Sequence, residues 1–206
     1  MNYFTSCRVL IISLLFISAK AQSTDLQDSI PRGWRVSSNP DIYFGTDTTE
    51  SHSGIASGIL QRNDATTNMP GSMSQHIRAD TYRGKRLMMS LYIKTLQVGG
   101  AGVYYRIDGK DTSITFSNLP QWNIQNTTDW LRYQIVLDVP EESVTINFGI
   151  MLMGTGTIWV DDVEFTGVDK SVTSDDTIFG KAKPKFAKRT YTINNQPINL
   201  DFEDYK

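Results

Sequence analysis

The sequence predicts an all-β fold, a two-layer sandwich or a barrel, and three observations carry that expectation. From about Pro31 to Val168, short segments alternate apolar and polar residues with a period of two. Turn signals such as "SHSG", "NMPG", "RGK", "DGKD" and "VPEE" separate them. No stretch carries the apolar stripe of an amphipathic helix.

The segments follow in order along the chain. "GIASGILQ" and "GSMSQHIRA" are short strand candidates. "RLMMSLYIK" sets Leu87, Met89, Leu91 and Ile93 on one side and Ser90, Tyr92 and Lys94 on the other. After the "GG" turn, "AGVYYRID" puts Val103, Tyr105 and Ile107 against the core and turns Tyr104, Arg106 and Asp108 outward. "SITFS" is short. "LRYQIVLDV" groups Leu131, Tyr133, Ile135, Leu137 and Val139, and "VTINFGIML" groups Val144, Ile146, Phe148, Ile150 and Leu152. Eight to ten such strands at this spacing predict a sandwich or barrel.

The last strand, "TIWVDDVEF", breaks the alternation. A strict period of two groups Trp159, Asp161, Val163 and Phe165, which mixes a carboxylate into an apolar face. Either a β-bulge falls at Asp161-Asp162 or Asp161 points into the apolar layer. A buried carboxylate needs backbone amides or a cation around it.

The ends differ from the middle. "MNYFTSCRVLIISLLFISAKAQ" has a basic start, a short apolar core from Val9 to Ile17 and a small-x-small site at Ala19-Lys20-Ala21, the pattern of a secretory signal over residues 1–21. Export to the periplasm or the outside of the cell is the expectation. Beyond it, no apolar run is long enough to span a bilayer. Without Arg8 and Lys20, the 20 bases of the chain become 18 against 22 acids, which leaves no overall basic footprint for nucleic acid. Cys7 is the single cysteine and falls in the leader, so disulfides, zinc-thiolate sites and cysteine nucleophiles are excluded from the exported part. Residues 169–190 read as a polar, basic linker and 191–206 as a strand-like tail.

Catalytic signals are sparse. There are two histidines, His52 in a turn and His76 on the outer face of a strand, and no G-x-S-x-G elbow. A Ser/His/Asp arrangement using Ser51 or Ser53 would need an orienting acid and an oxyanion hole. Adjacent acids such as Asp161-Asp162, Glu141-Glu142 and Asp175-Asp176 point apart on a strand and make poor glycosidase pairs. The chain is therefore read as non-catalytic, with a hydrolase as the minor alternative.

The closing "WVDDVEF", together with "SHSGIASGIL" and "ADTYRGKRLMMSLYIKT", resembles the galactose-binding-like jelly roll, the fold of many carbohydrate-binding modules. More narrowly, Gly33 to about Val168 resembles a bacterial β-sandwich domain that accompanies AraC-type regulators and some secreted hydrolases and peptidases. The resemblance implies a jelly-roll sandwich over 31–168. It also implies a structural calcium held by the closing-strand acid, Asp161 or Asp162, and an N-terminal "DFE"-like segment. Here that segment stands at the other end, in "NLDFED", Asn199 to Asp204. Two roles are open to it: the tail folds back with Asp201 or Glu203 near Asp161, or it begins a second module. The basic, Pro-containing linker before it favours the second.

Binding then has its own candidate residues. Tyr104, Arg106 and Asp108 line one face of a strand, and the loop "SNLPQWNIQNTTDW" adds Asn118, Gln121 and Trp122. An aromatic face with a few cations, acids and amides is what a sugar ligand takes. The competing view is an Arg–Asp pair on an exposed face, with Trp34, Trp130 and Trp159 serving as packing. The expected function is an exported, non-catalytic carbohydrate-binding-like module. The alternative is an accessory domain contacting a protein partner in the cell envelope, attached to a peptidase or other hydrolase.

Overall fold

The structure, a computed structural model, describes residues 30–37, 41–64, 69–111, 113–118, 124–175 and 193–205. Residues 1–21, read as a signal, and most of the 169–190 linker lie outside them.

Among the described residues the chain is all-β, with nine strands: β1 (Arg35–Val36), β2 (Tyr43–Asp47), β3 (Ser57–Arg62), β4 (Gly71–Arg78), β5 (Arg86–Asp108), β6 (Ser113–Asn118), β7 (Ile124–Asp138), β8 (Thr145–Met153) and β9 (Gly156–Val168). It is a β-sandwich of the jelly-roll kind. The hydrogen-bonded order is β1-β4-β8-β5-β9-β3-β2, and β6 and β7 also pair with β5. All strand pairs are antiparallel.

Strand β5 joins the two layers. Its first half, Arg86 to Leu96, pairs with β9 and β7. Its second half, Gly100 to Asp108, pairs with β8 and β6. The "GG" at 99–100, expected to be a turn between two strands, bends one strand instead. Gln97 just before it takes a positive φ of 51°, and the pairing to β7 shifts register through Thr95, Val98 and Ala101. Two glycines without Cβ atoms let the strand change layer without reversing.

The alternating apolar sets meet between the layers. Leu87, Met89, Leu91 and Ile93 of β5 are buried, as are Val103, Tyr105 and Ile107 beyond the bend and Ile146, Phe148, Ile150 and Leu152 of β8. Each such side chain contributes about 1.5–3 kcal/mol. Phe148 of one layer meets Phe165 of the other edge-to-face, centroids 4.8 Å apart. On β7, Ile135 and Leu137 follow the expected pattern, as does Val139 just after it, while Leu131 is exposed.

The tail corrects the preference for a second module. Residues 193–205 return to the sandwich. Asn194 exchanges hydrogen bonds with β4, donating to His76 O (3.0 Å) and accepting from Arg78 N (2.9 Å), in a parallel bridge opposite Ile77. Gln75 holds Ile198 through both its amide atoms, and the Trp34 indole donates to Asn199 O. Phe202 is fully buried and stacks on Trp34 with centroids 4.9 Å apart. A Cβ on Gly58 would collide with the Phe202 ring, so β3 needs a glycine where the tail's anchor enters. The basic linker was a poor guide because the return depends on an apolar pocket formed by Trp34, Met73 and Gly58, which are remote from the tail in sequence.

Candidate functional site

Strand β5 presents outward side chains in both layers. In its second half the expected residues Tyr104, Arg106 and Asp108 lie together on the outer face, half-buried. Arg106 binds Asp108 Oδ2 through Nε (3.0 Å) and Nη2 (2.9 Å). Asn147 Nδ2 donates to the same oxygen at 2.6 Å, and Ser113 Oγ donates to Oδ1 at 2.5 Å. The carboxylate is therefore fully engaged within the sheet. Asn118 pairs with Tyr104 through the backbone register; its side chain, Gln121 and Trp122 lie outside the described residues. His76, across Asn147 in the ladder, is held neutral: burial, then Arg106 and Arg35, lowers it to about 4.

The first half of β5 builds something different. The bulge is present: Ser90 pairs with Glu164 and Tyr92 with Asp161, so the single residue Leu91 faces Asp162 and Val163. Asp162 carries the left-handed conformation, φ 48°, that an aspartate tolerates better than a bulky residue. Asp161 is completely buried, and its neighbours answer why a carboxylate belongs there. Its Oδ2 accepts from the backbone amides of His52 (2.9 Å) and Ser53 (3.2 Å), and its Oδ1 from the amide of Asp162 (2.8 Å). Burial nonetheless raises Asp161 to about 6 against the pull of those three amides.

These amides belong to the loop between β2 and β3, which is fastened along its length. Trp159 Nε1 donates to Asp47 (2.7 Å) and Lys94 Nζ binds Glu50 (2.8 Å). Farther along, Glu203 of the tail accepts from the amides of Ile55 (2.7 Å) and Ala56 (3.1 Å). Asp161 and Glu203 thus grip successive parts of one loop. Gly54, between those parts, has a positive φ of 58°, and a Cβ there would strike the Glu203 carboxylate.

The fastened loop lays His52 flat on Tyr92, centroids 3.5 Å apart and 15° between planes, with Trp130 edge-on at 5.8 Å. His52 Nδ1 lies 2.6 Å from Asp162 Oδ2, and Ser53 Oγ donates to Asp162 Oδ1 at 2.7 Å. Both His52 and Ser53 bond to the acid, so the acid stands where a triad would require the histidine. Beside the ring stack opens a cleft of about 690 Å³. Its floor is Ser90 and Tyr92 of β5 with Arg132 of β7. Its side is formed by the bulged stretch Asp162 to Glu164 and by Asn199 to Asp201 of the tail, joined where the Val163 amide donates to Leu200 O at 3.0 Å.

The expected calcium ligands Asp161 and Asp162 do not fit a cation in this arrangement. Their oxygens face amide and hydroxyl donors and a ring nitrogen, whereas calcium needs six to eight converging oxygens. Among the described residues no group of three or more His, Cys, Asp or Glu gathers as metal ligands.

Sequence reasoning singled out Asp161-Asp162 and "NLDFED" but treated His52 as turn packing and Tyr92 as a solvent-facing strand position. The signal for the cleft was their joint presence. An aromatic on the outward face of the "RLMMSLYIK" strand needed a cover, and the loop and tail supply it.

No protein-family model matches the chain. A Bacillus subtilis (strain 168) protein named as the uncharacterized HTH-type transcriptional regulator YbfP is 36% identical over 194 residues, covering 92% of this chain and 62% of that protein. The chain thus spans less than two thirds of the length of the curated relative it matches. The enzymatically active domain of bacteriophage CBA120 tailspike protein 4 superposes with a TM-score of 0.50 at 15% identity, over 68% of this chain and 20% of that one. The CBM22-1 xylan-binding domain of Paenibacillus barcinonensis Xyn10C gives 0.48 at 12% identity, over 70% and 91%. At these identities the likeness concerns the sandwich fold and not the ligand.

Proposed function

We propose that this protein is an exported, non-catalytic carbohydrate-binding module whose site is the cleft beside Tyr92. The supporting observation is the stacked His52–Tyr92 pair at the edge of a roughly 690 Å³ cleft. An aromatic surface packs on sugar C–H groups, and Ser90, Arg132 and Glu164 offer donors and acceptors for hydroxyls. The reading without catalysis rests on the acid's position between His52 and Ser53, which leaves no base beside a nucleophile. Export rests on the leader pattern of residues 1–21.

A glycan array tests it. The parent chain is expected to retain at least one oligosaccharide class, Tyr92→Ala to lose it, and Arg106→Ala to keep it. A parent that binds no glycan, or a Tyr92→Ala variant that binds as the parent does, sinks the reading.

A second reading takes its support from the similarity to a protein named as a transcriptional regulator over 92% of this chain. In it the same cleft serves as the ligand-sensing part of a larger protein. Small-molecule binding at Tyr92 is common to both, and the array decides whether the small molecule is a sugar.

A further inference from the structure

The charge and aromatic content of the cleft point to a narrower ligand class, and the inference rests on the carbohydrate reading above. Three carboxylates line the cleft, Asp162, Glu164 and Asp201, against one guanidinium, Arg132. The groups differ in how far they are already engaged. Asp162 is shared by His52 and Ser53, and Arg132 donates to Ser90 Oγ at 3.1 Å. Glu164 and Asp201 have only weak partners, the Thr166 hydroxyl at 3.3 Å and the Glu203 amide at 3.5 Å, and neither forms an ion pair among the described residues. They stand on adjacent segments, one on β9 and one on the tail, which the Val163 amide joins by donating to Leu200 O at 3.0 Å, and the ring stack borders the same cleft.

Excess negative charge and π faces both favour a cation. A ring quadrupole attracts an ammonium at about 0.5–1 kcal/mol when exposed and more when dry, and a carboxylate adds a charge-assisted hydrogen bond. The same surplus repels acidic sugars. We infer that the cleft takes a protonated amino sugar, a glucosamine-type pyranoside whose apolar face packs on the His52–Tyr92 stack while its ammonium lies between Glu164 and Asp201. N-acetylation removes the charge and weakens binding. A uronic acid in the same place meets the two carboxylates and is excluded.

Calorimetry separates the possibilities with four probes: fully deacetylated chitosan hexamer, chitin hexamer, cellohexaose and an oligogalacturonate. The chitosan hexamer is expected to bind about tenfold more tightly than the two neutral oligomers, and oligogalacturonate not at all. Glu164→Gln and Asp201→Asn are expected to weaken chitosan binding about threefold each, by more than they weaken binding of the neutral oligomers. Raising the pH until the amines lose their proton is expected to bring chitosan down to the neutral oligomers. Neutral oligomers that bind as well as chitosan, with Tyr92→Ala abolishing both, overturn the amino-sugar inference and leave the carbohydrate reading standing. Oligogalacturonate as the best ligand does the same. No binding of any probe, with an empty array, overturns both.

Discussion

The two halves of β5 carry outward side chains on one continuous strand, yet they come to opposite ends. Beyond the bend, Arg106 and Asp108 neutralise each other two residues apart, and Ser113 and Asn147 from neighbouring strands complete the acid. These partners are local to the sheet, so the Asp108 carboxylate is taken up by its own ladder. Before the bend, the ring partner of Tyr92 comes from a loop 40 residues earlier, and the cleft beside it is lined by a tail more than 100 residues later. Elements that fold over a sheet face build the lining of a cleft. A row of aromatic, cation and acid in sequence is therefore weaker evidence of a site where the acid is already taken up by its neighbours in the sheet.

The comparison breaks most readily at Phe202. Phe202→Ala empties a fully buried ring site against Trp34 and should cost about 3–5 kcal/mol in urea unfolding. It should also release the tail wall, so the His52 and Tyr92 ring signals shift in NMR spectra while the amides of Tyr104 to Asp108 stay in place. Equal disturbance of both halves would show that the tail supports the whole sandwich and not one face.

The halves should also respond to acid with opposite sign. Asp161, beneath the cleft loop, is raised by burial to about 6 from an ordinary aspartate value of 3.8. The folded state thus binds its proton first, and this contribution to stability rises as pH falls from about 6 to 4. His76, on the far face, has a folded value near 4 against 6.5. Its contribution is present above pH 6.5 and is lost as pH falls towards 4. Each is worth on the order of 3 kcal/mol, and they offset each other in the parent. Denaturant titrations at pH 4, 5 and 6.5 separate them. His76→Gln should lose less stability on acidification than the parent, and Asp161→Asn should lose more. The reverse order for either variant would mean that its surroundings are misassigned.

Arg106→Ala should have the smallest effect. Its pair with Asp108 is partly exposed and Asp108 keeps Ser113 and Asn147, so a loss of under about 1 kcal/mol is expected in the same unfolding assay. A loss of several kcal/mol would make that network a structural necessity.

The strands were largely legible because alternation is a local property. Leu87 to Ile93 and Ile146 to Leu152 needed only their own spacing to predict which face they bury. β1 and β2 were missed because Arg35–Val36 is two residues long and "YFGTD" has no alternating set. The bulge was readable from the same spacing, since two acids cannot continue a period-two apolar face.

The sequence alone determined the period of its strands, the interruption at Asp161-Asp162 and the absence of any cysteine after Cys7, because each is read along the chain itself. Only the tertiary structure decided that amides answer the buried acid, that the tail returns to the sandwich, and that His52 covers Tyr92. Those outcomes depend on contacts such as Glu203 with Ile55, separated by 148 positions. Chain closure over such distances is set by the packing of the whole sandwich, and no local spacing encodes it.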